Sequence, residues 1–485
     1  MAMHKRRASL FVGYERAGRA GAICYSLVEG CKVNKVDPLT YLIYVLRHVR
    51  DKRVTLPHAR RNDNFQHHPY RRTFLTNGII LASGLASGVI AARLLGVEDR
   101  GLLAAVIYWP HFVAGVAAMG LNEAIVIRTA KTGTTKSLRA TALALSLAIA
   151  LPVVIIGLLL LPFLLGESRR AYLSFTQIYF AAFVPLSFVA INLLAIDQGE
   201  FRFHSYNIQR VIQAVAYPAL LLALWLAGSL TVENAAIAVV SGTGIVALIR
   251  LWQAGPWLKI KPTLQEAEEL LIQGMRLHAT NLATFLAMQI DKMALVLFSN
   301  DAQLGLYVVA VTAASTAQSL FVQTYINVML PTAAKSGSEL KNIEVILGPL
   351  RKLLVLITAS TCLMVIIFPF VLPMVFGRNY FAAVSYAQVL AVAFAFVGVK
   401  NIFIYLFRAW AKNKAGALGE GLVSLILIAG AYPSLRIWGV MGLSLLMLLA
   451  HALGALFLLF AFSKTTGLSM RHVFGFARAS HSLDD

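Results

Sequence analysis

From Phe74 onward the chain alternates between apolar runs of about twenty residues and short polar segments. A helix of about twenty residues spans the hydrocarbon core of a bilayer, roughly 30 Å thick, so each run predicts a membrane-crossing helix. The pattern predicts an all-α polytopic membrane protein with about twelve crossings. The predicted spans are 74–96, 101–127, 140–165, 171–196, 207–228, 231–252, 274–299, 303–330, 349–375, 381–407, 416–435 and 438–462.

The longest segment between spans, residues 253–273, divides the twelve spans into two groups of six. The first spans of the two groups have a similar pattern, in which a glycine follows a polar turn. The glycine is Gly101 in ARLLGVEDRGLLAAV and Gly305 in LVLFSNDAQLGLYVVAV. This repeat predicts two six-helix lobes related by an axis along the membrane normal. The predicted organisation is a tail at 1–72, a first lobe at 73–252, a linker at 253–273, a second lobe at 274–463 and a tail at 464–485.

Composition supports the membrane assignment. Hydrophobic residues make up 58% of the chain and charged residues 13%, with a mean hydropathy of +0.72. These values exclude a soluble domain of 485 residues. The three cysteines, Cys24, Cys31 and Cys362, do not have the spacing of metal ligands, and no disulfide framework is expected.

Basic residues outnumber acidic ones, 43 against 22, and they gather in the N-terminal tail and the loops. This distribution indicates membrane orientation rather than binding to nucleic acid. Counting the loops between the predicted spans gives seventeen Lys and Arg on one side and six on the other. The positive-inside rule therefore places both termini in the cytoplasm, and the first span is expected to act as its own signal.

The seventh span, in the stretch NLATFLAMQIDKMALVLFS (281–299), contains charged residues inside an apolar helix. A Lys or Asp at the bilayer centre costs about 2.5–3.5 kcal/mol, so it persists where it faces protein or water. On a single helix, a stripe of five residues falls within an arc of about 80°, and we call it the polar stripe: His278, Asn281, Phe285, Gln289 and Lys292. Asp291 lies about 100° from Lys292 around the same helix. The two charges are therefore not expected to neutralise each other, and each is expected to find a partner on another helix.

Three segments carry a resemblance to a known family: ASGVIAARLLGVEDRGLLAAVIYWP (86–110), MGLNEAIVIR (119–128) and QIDKMALVLFSNDAQLGLYVVAVTAAS (289–315). The chain resembles oligosaccharide flippases of the Wzx type, within the multidrug/oligosaccharidyl-lipid/polysaccharide exporter superfamily. The resemblance implies two lobes arranged as a V around a central cavity. It also implies movement of a polyprenyl-diphosphate-linked glycan across the bacterial inner membrane, with membrane lipids and polysaccharide assembly proteins as partners.

With that resemblance, the polar stripe of the seventh span predicts a cavity for a headgroup of sugars and phosphates. Lys292 and Asp291 would line it with Gln289, and cationic groups would hold the diphosphate. Lys292 is only about 10 Å from the outer end of the span, so reaching the lipid headgroups is an alternative.

Two further basic residues are candidates for the same cavity. Arg93 lies near the outer end of the first span, and Lys400 lies within the tenth span. Together with His278, Asn281 and the residues around Lys292, they complete the predicted substrate-binding set.

The N-terminal tail differs from the rest of the chain. Its stretch FVGYERAGRAGAICYSLVEGCKVNKVDPLTYLIYVLRHVRDKRVTLP resembles the C-terminal end of DDE-type transposases of the insertion-sequence sixty-six group. We interpret the tail as a fused gene remnant or as the product of an early start codon; a cytosolic DNA-binding appendage is the alternative. The matching positions are Glu15, Arg16, Tyr25, Ser26, Leu27, Lys32, Asn34, Asp37, Pro38, Tyr41 and Leu42.

Motifs of enzymatic chemistry are missing from the sequence. It contains no G-x-x-x-x-G-K-[ST], H-E-x-x-H, C-x-x-C or G-x-S-x-G, so no enzyme activity, cofactor or metal site is predicted. Transport would draw on an ion or potential gradient or on consumption of the glycan. A cation-coupled drug exporter is the first alternative, but the first span holds no acid and ends near Arg93. A membrane polysaccharide polymerase or ligase is the second.

Overall fold

The computed structural model describes residues 68–254, 260–316, 340–410 and 412–473. The predictions for 1–67 and 474–485 lie outside these residues. The described residues contain helices and no strands, and short 3-10 helices occur at Glu167–Tyr172 and Arg378–Tyr380. The α-helices are α1 His68–Ala117, α2 Leu121–Thr132, α3 Lys136–Leu164, α4 Leu173–Gly199, α5 Phe203–Leu226, α6 Val232–Ala254, α7 Leu264–Ala287, α8 Ile290–Phe298, α9 at 301–316, α10 Leu340–Phe376, α11 Ala383–Ala409, α12 Asn413–Thr466 and α13 Met470–Val473.

Eight helices of the described part are long and apolar enough to cross a membrane. Two of these, in α1 and α12, have 43 and 53 residues, which is enough length for two crossings each. The backbone leaves the helical conformation at Gly96 (φ 82°) and at Gly439 (φ 59°). Glycine adopts positive φ without steric cost, so both long helices turn at these residues. Both turns lie at predicted boundaries between spans, while the total of twelve spans stays a prediction.

The helices run back and forth between two ends of the bundle. We call one end the Gly96 end; it also contains the turns near Gly166, Gly377 and Gly439. We call the other the Gly120 end, and it holds the turns between α2 and α3 and between α11 and α12. The charge count predicts that the Gly120 end faces the cytoplasm.

Apolar side chains both fill the bundle and cover it. Neighbouring helices pack in pairs, with α3 and α6 against α4, α5 against α6, and α10 and α12 against α11. On the outside, large apolar side chains such as Phe163 and Phe370 are 81% and 76% exposed. An apolar surface of this extent fits contact with lipid rather than with water.

The two halves of the chain, residues 68–254 and 260–473, meet along one seam. In the described residues, the contacts between the halves involve α1, α2, α3 and the 3-10 helix Glu167–Tyr172 of the first half, and α7 to α10 with the 3-10 helix Arg378–Tyr380 of the second. At the Gly96 end, a Cβ atom added to Gly101 would lie 1.7 Å from the Asp301 carbonyl oxygen. At the other end, a Cβ atom added to Gly274 would lie 2.7 Å from the Met119 carbonyl oxygen. Small residues therefore let the backbones of the two halves approach closely at both ends.

Two predicted spans differ from the observed structure. The second, 101–127, is interrupted by a turn at 118–120, where Gly120 takes φ 62°. The seventh differs more. The prediction was one helix over 274–299, but α7 begins at Leu264, inside the predicted linker, and it ends at Ala287. A second helix, α8, begins at Ile290. Residues 278–292 therefore do not lie on one helix. The prediction that the polar stripe continues along a single helix face is wrong beyond Ala287.

Candidate functional site

The site is built around the break between α7 and α8. No proline or glycine occurs in the segment LAMQID that contains it, so local sequence does not force the break. Instead, the carbonyl groups at the break receive side-chain hydrogen bonds. The Tyr108 hydroxyl in α1 donates to the Gln289 carbonyl oxygen at 3.0 Å, and Lys292 Nζ donates to the Met288 carbonyl oxygen at 2.8 Å. Irregular backbone inside a membrane protein requires such partners, because lipid offers none.

Asp291 lies in the first turn of α8 and is only 1% exposed. Its Oδ2 accepts a 2.8 Å hydrogen bond from the hydroxyl of Tyr307 in α9, which is fully buried. Its Oδ1 has no hydrogen-bond partner among the described residues. A buried carboxylate with one unsatisfied oxygen carries a desolvation penalty, and a nearby cation offsets it.

That cation is Lys292, whose Nζ is 3.9 Å from Asp291 Oδ1. The expectation that the two residues could not neutralise each other is therefore wrong. The reason is the break: α8 begins at Ile290, so both residues lie in its first turn, and the Lys292 side chain runs back toward the Met288 carbonyl. The expectation of a partner on another helix does hold for Asp291, which Tyr307 contacts from α9.

The Lys292 side chain keeps 28% of its surface exposed. An ammonium group has three N–H donors, and the Met288 carbonyl uses one of them. The ammonium also lies in the first turn of α8, where the helix dipole favours negative charge. The arrangement can therefore hold an anion through charge and hydrogen bonds, while Asp291 keeps the resting site close to neutral.

The other residues of the predicted stripe lie elsewhere along α7. His278 is half-buried where α7 crosses the start of α2, and its backbone nitrogen would lie 3.1 Å from a Cβ atom added to Gly120. The side chain of Asn281 lies outside the described residues. The stripe residue Phe285 packs against Gly115, whose added Cβ would lie 2.4 Å from the Phe285 ring.

The two remaining predicted basic residues are not at the break. At the Gly96 end, Arg93 donates from Nε to the Val375 carbonyl oxygen at 2.6 Å and also bonds the Met374 carbonyl oxygen. Lys400 is 1% exposed, and its Nζ is 2.6 Å from Glu420 Oε2. The structure thus brings Gln289, Asp291 and Lys292 together, while the other predicted residues lie apart from them.

The opposite end of α8 is held by a residue of the first half. Arg169, in the 3-10 helix Glu167–Tyr172, is 3% exposed. It contacts Asp301 Oδ1 at 2.7 Å and donates to the carbonyl oxygens of Val296 at 2.6 Å and Ser299 at 3.1 Å. A cation that binds the last carbonyls of a helix also complements the helix dipole. The half-helix that carries Lys292 is therefore bonded to the first half at both of its ends, by Tyr108 and by Arg169.

Sequence reasoning missed Tyr108, Tyr307, Glu420 and Arg169. For Glu420 a signal existed, because it is an acid inside the predicted span 416–435, next to a span that contains Lys400. Opposite charges on neighbouring spans indicate a buried pair. The two tyrosines gave no such signal, since tyrosine is common in membrane helices and at their ends.

Three solved structures show the fold. The inward closed conformation of the lipid II flippase MurJ is similar with a TM-score of 0.67 and 14% identity, covering 83% of this chain and 91% of that one. A multidrug resistance MATE family transporter of the MOP superfamily is similar in its inward-facing conformation, with a TM-score of 0.63 and 14% identity over 80% of this chain and 95% of that one. An outward-facing conformation of a MATE family transporter is also similar, with a TM-score of 0.55 and 14% identity, covering 82% of this chain and 96% of that one.

These likenesses confirm the predicted fold class of a polytopic helical membrane protein. No curated protein matches the chain. The family model described as "Polysaccharide biosynthesis protein" matches residues 74–336, which is more than half of the chain. The chain, a multi-pass membrane protein, therefore belongs to the polysaccharide biosynthesis protein family.

Proposed function

We propose that the protein is a flippase that moves a polyprenyl-diphosphate-linked oligosaccharide across the inner membrane for polysaccharide biosynthesis. Membership of the polysaccharide biosynthesis family and a fold shared with a lipid II flippase support this proposal. The two halves of the chain act as two lobes that open alternately toward either side of the membrane. Transport involves no covalent chemistry, and both termini lie in the cytoplasm.

The observation that carries the proposal is the Lys292 side chain, which stays 28% exposed at a helix break next to the other half of the chain. The diphosphate of the cargo bears negative charge, and it would displace Asp291 as the main partner of Lys292. Binding would then change the contacts around the break, where Tyr108 of the first half bonds Gln289 of the second. Contacts that differ between loaded and empty states are what alternating access requires.

The remaining predicted residues have secondary roles in this proposal. His278 and Asn281 contact sugar hydroxyls along α7, and Gln289 does so at the break between α7 and α8. Arg93 contributes positive potential from the Gly96 end. The charge of Lys400 is balanced by Glu420, so Lys400 is not expected to hold the cargo.

The test uses purified protein in liposomes that contain a fluorescent polyprenyl-diphosphate-linked oligosaccharide. Flipping is measured by the fraction of glycan that becomes accessible to a lectin or to periodate outside the vesicles. Lys292→Ala is expected to lower the flipping rate at least about tenfold, the equivalent of one lost charge-assisted hydrogen bond. Lys292→Arg should keep most of the activity, because it keeps the charge.

Lys464→Ala is the matched control. Lys464 is an exposed lysine in the last turn of α12, and its Nζ lies 4.9 Å from the centre of the Phe460 ring. Its loss should leave flipping unchanged. Normal flipping by Lys292→Ala, in protein that melts like the wild type, would remove the central role of Lys292.

The same vesicles separate the alternatives. A cation-coupled drug exporter would move a lipophilic cationic dye and leave the lipid-linked glycan where it is. A polymerase or ligase would change the covalent linkage of the glycan, which thin-layer chromatography of the recovered lipid detects. The flippase proposal predicts movement of an unchanged glycan and no dye transport. Recovery of a longer or transferred glycan would replace this proposal with an enzymatic one.

A further inference from the structure

A group of aromatic side chains joins α1 to α4 within the first half of the chain. His111 of α1 is exposed, and its ring centroid is 4.0 Å from that of Phe183 in α4. Tyr179, one turn earlier in α4, stacks on Phe183 with a centroid distance of 5.8 Å and an interplanar angle of 9°. The ring centroids of Tyr179 and His111 are 6.3 Å apart. We call these three residues the aromatic group.

His111 lies on the side of α1 that faces the second half of the chain. Three residues before it, the Tyr108 hydroxyl donates to the Gln289 carbonyl oxygen at the α7–α8 break. Four residues after it, a Cβ atom added to Gly115 would lie 2.4 Å from the Phe285 ring. At 100° per residue, His111 is within about 60° of both contacts around the helix, and three residues span about 4.5 Å along its axis. The exposed ring is therefore about one helical turn along α1 from the contact at the break.

Two polar atoms of the aromatic group have no protein partner. His111 Nδ1 is 2.7 Å from the Ile107 carbonyl oxygen, which can only accept, so Nδ1 carries a proton. In the neutral ring Nε2 is then an acceptor, and no donor among the described residues bonds it. Tyr179 is 3% exposed, and its hydroxyl has no hydrogen-bond partner among those residues either. A buried hydroxyl without a partner is unfavourable, so its presence calls for an explanation.

A sugar ring supplies the groups that the aromatic group lacks. One sugar hydroxyl can donate to His111 Nε2, and the same or a neighbouring hydroxyl can accept from the Tyr179 hydroxyl. The C–H groups on one side of a pyranose ring can lie on the open face of His111, because the faces of aromatic rings carry negative partial charge. The rings in contact with His111 are those of Phe183 and Tyr179, which are uncharged. This chemistry favours an uncharged sugar over a phosphate or an acidic sugar.

We propose that His111, Tyr179 and Phe183 form a subsite for the uncharged sugar unit closest to the diphosphate of the cargo. The inference rests on the proposed function, in which the diphosphate is bound by Lys292 beside the α7–α8 break. Because the subsite is about one turn of α1 away from that break, the first sugar reaches it while the diphosphate stays at Lys292. One cargo molecule then contacts both halves of the chain, the first through neutral groups and the second through charge.

The alternative role of the aromatic group is packing alone. If His111 faced hydrocarbon, its Nε2 would have no partner, which is unfavourable in a membrane. Packing also does not need the Tyr179 hydroxyl, because phenylalanine has the same ring. The two polar atoms therefore distinguish a sugar subsite from packing, and substitutions that remove only these atoms are the test.

Binding is measured by isothermal titration calorimetry on the purified protein in detergent, with two probes. The first is the polyprenyl-diphosphate-linked oligosaccharide isolated from the organism that encodes the protein, and the second is the same polyprenyl diphosphate without sugar. Wild-type protein should bind the first probe at least about tenfold more tightly than the second. Tyr179→Phe and His111→Phe should each weaken binding of the first probe roughly three- to tenfold, as expected for one lost hydrogen bond, and leave the second unchanged.

Tyr405→Phe is the matched control. It removes a hydroxyl from a tyrosine of α11 in the second half, where the Arg408 guanidinium carbon lies 5.4 Å from the centre of the Tyr405 ring. This variant should bind both probes like the wild type. Tyr179→Phe keeps the ring and removes an unpartnered hydroxyl, so it should melt at or above the wild-type temperature. Weaker binding of the glycan probe by Tyr179→Phe is then not a loss of folding.

A third probe tests the subsite without the lipid. Mild acid releases the free oligosaccharide from its diphosphate, and diethyl pyrocarbonate modifies imidazole nitrogens that carry no proton. The free oligosaccharide should slow the modification of His111 in the wild type, and slow it less in Tyr179→Phe. His204, an exposed histidine at the start of α5, should react at the same rate with and without the oligosaccharide. Mass spectrometry of the peptides measures both residues.

Each outcome decides the proposal. Equal binding of the two lipid probes by the wild type, or unchanged glycan binding by both phenylalanine variants, overturns the subsite. Equal weakening of both probes in these variants also overturns it, because the contact would then be with the diphosphate or the lipid. If neither lipid probe binds but the free oligosaccharide protects His111, the proposed function fails and the sugar subsite stands. If no probe binds or protects, both fail.

Discussion

At the residue scale, Glu266 shows how the second half is attached to the first at the Gly120 end. Its carboxylate accepts hydrogen bonds from the hydroxyls of Ser137 and Thr263, each at 2.8 Å, and from Thr141 at 3.2 Å and Thr135 at 3.4 Å. Burial acts to raise the pKa of Glu266, but these hydrogen bonds to its charged form outweigh burial and hold the pKa below its usual value.

This shift predicts an acid-sensitive contact. A carboxyl group with a lowered pKa in the folded state stabilises that state above its unfolded pKa of about 4.3 and stops doing so as the pH falls through the folded value. Glu266→Gln should therefore melt below the wild type at pH 7, by about 1–3 °C. The difference should shrink toward zero near pH 3. Melting in detergent is followed by intrinsic tryptophan fluorescence, which can be read at both pH values.

Glu268→Gln provides the control, since Glu268 is an exposed carboxylate two positions away on α7. It should melt like the wild type at both pH values. If the melting temperature of Glu266→Gln stays below that of the wild type by the same amount down to pH 3, the negative charge of Glu266 does not strengthen its hydrogen bonds to the hydroxyl groups.

The sequence predicted individual residues of the site only in part. It singled out Asp291 and Lys292, because a charged residue inside an apolar run can be recognised from the sequence alone. It missed that Glu420 pairs with Lys400, since the two are twenty positions apart and meet only when α11 packs against α12. Partner identity depends on helix packing, which a periodic pattern does not contain.

At the element scale, the predicted boundaries at Gly96 and Gly439 hold, whereas two predicted spans are interrupted inside their bounds: the second at the turn of Gly120 (φ 62°) and the seventh before Ile290. Gly96 and Gly439 end helices because they take positive φ, and both were at predicted boundaries. The break before Ile290 has no such residue. It depends on Tyr108, whose hydroxyl reaches the Gln289 carbonyl from another helix. Local sequence therefore predicted a continuous seventh helix.

The crossing of α1 and α9 explains the repeated glycines that the sequence pattern singled out. A Cβ atom at Gly101 would lie 1.7 Å from the Asp301 carbonyl oxygen, and one at Gly305 would lie 2.1 Å from the Val97 carbonyl oxygen. Both clashes are with backbone atoms, which cannot rotate away. The two glycines are thus required by a close helix crossing between the two halves.

A Gly101→Ala substitution is therefore expected to destabilise the protein, although alanine favours helix by about 1 kcal/mol over glycine. The clash forces the helices apart at a cost of about 1–3 kcal/mol or more. Gly84→Ala, also in α1 but with open space around the added Cβ, should be neutral or slightly stabilising. Size-exclusion profiles and melting curves compare the two, and equal behaviour would contradict the crossing geometry.

At the scale of the whole molecule, the Gly96 end of the seam is closed by polar contacts as well as by packing. The Tyr380 hydroxyl donates to the Gly96 carbonyl oxygen at 2.8 Å, and Arg93 donates to the Val375 carbonyl oxygen at 2.6 Å. Arg169 adds its contacts with Asp301 and with the end of α8. Any state in which the two halves of the chain separate at this end must give up these contacts together.

Arg169 makes the largest number of these bonds from a buried position, so its removal should favour separation. Arg169→Met leaves Asp301 and the carbonyls of Val296 and Ser299 without this partner, and loss of one member of a buried charge pair costs about 3 kcal/mol. The closed form loses this amount relative to an open one, which converts a rare open population into a measurable one.

Spin labels at Glu98→Cys and Asn379→Cys report on the opening, since both positions are exposed and lie at the Gly96 end of different halves. With Cys24, Cys31 and Cys362 replaced by serine, double electron–electron resonance should show a longer distance gaining population in Arg169→Met. Arg170→Met serves as the control, because Arg170 is exposed and its Nη1 lies 3.0 Å from Glu167 Oε2 in the same 3-10 helix. An unchanged distance distribution in Arg169→Met would mean that the close packing at the glycines is enough to keep this end closed and that the polar contacts of Arg169 are not needed for it.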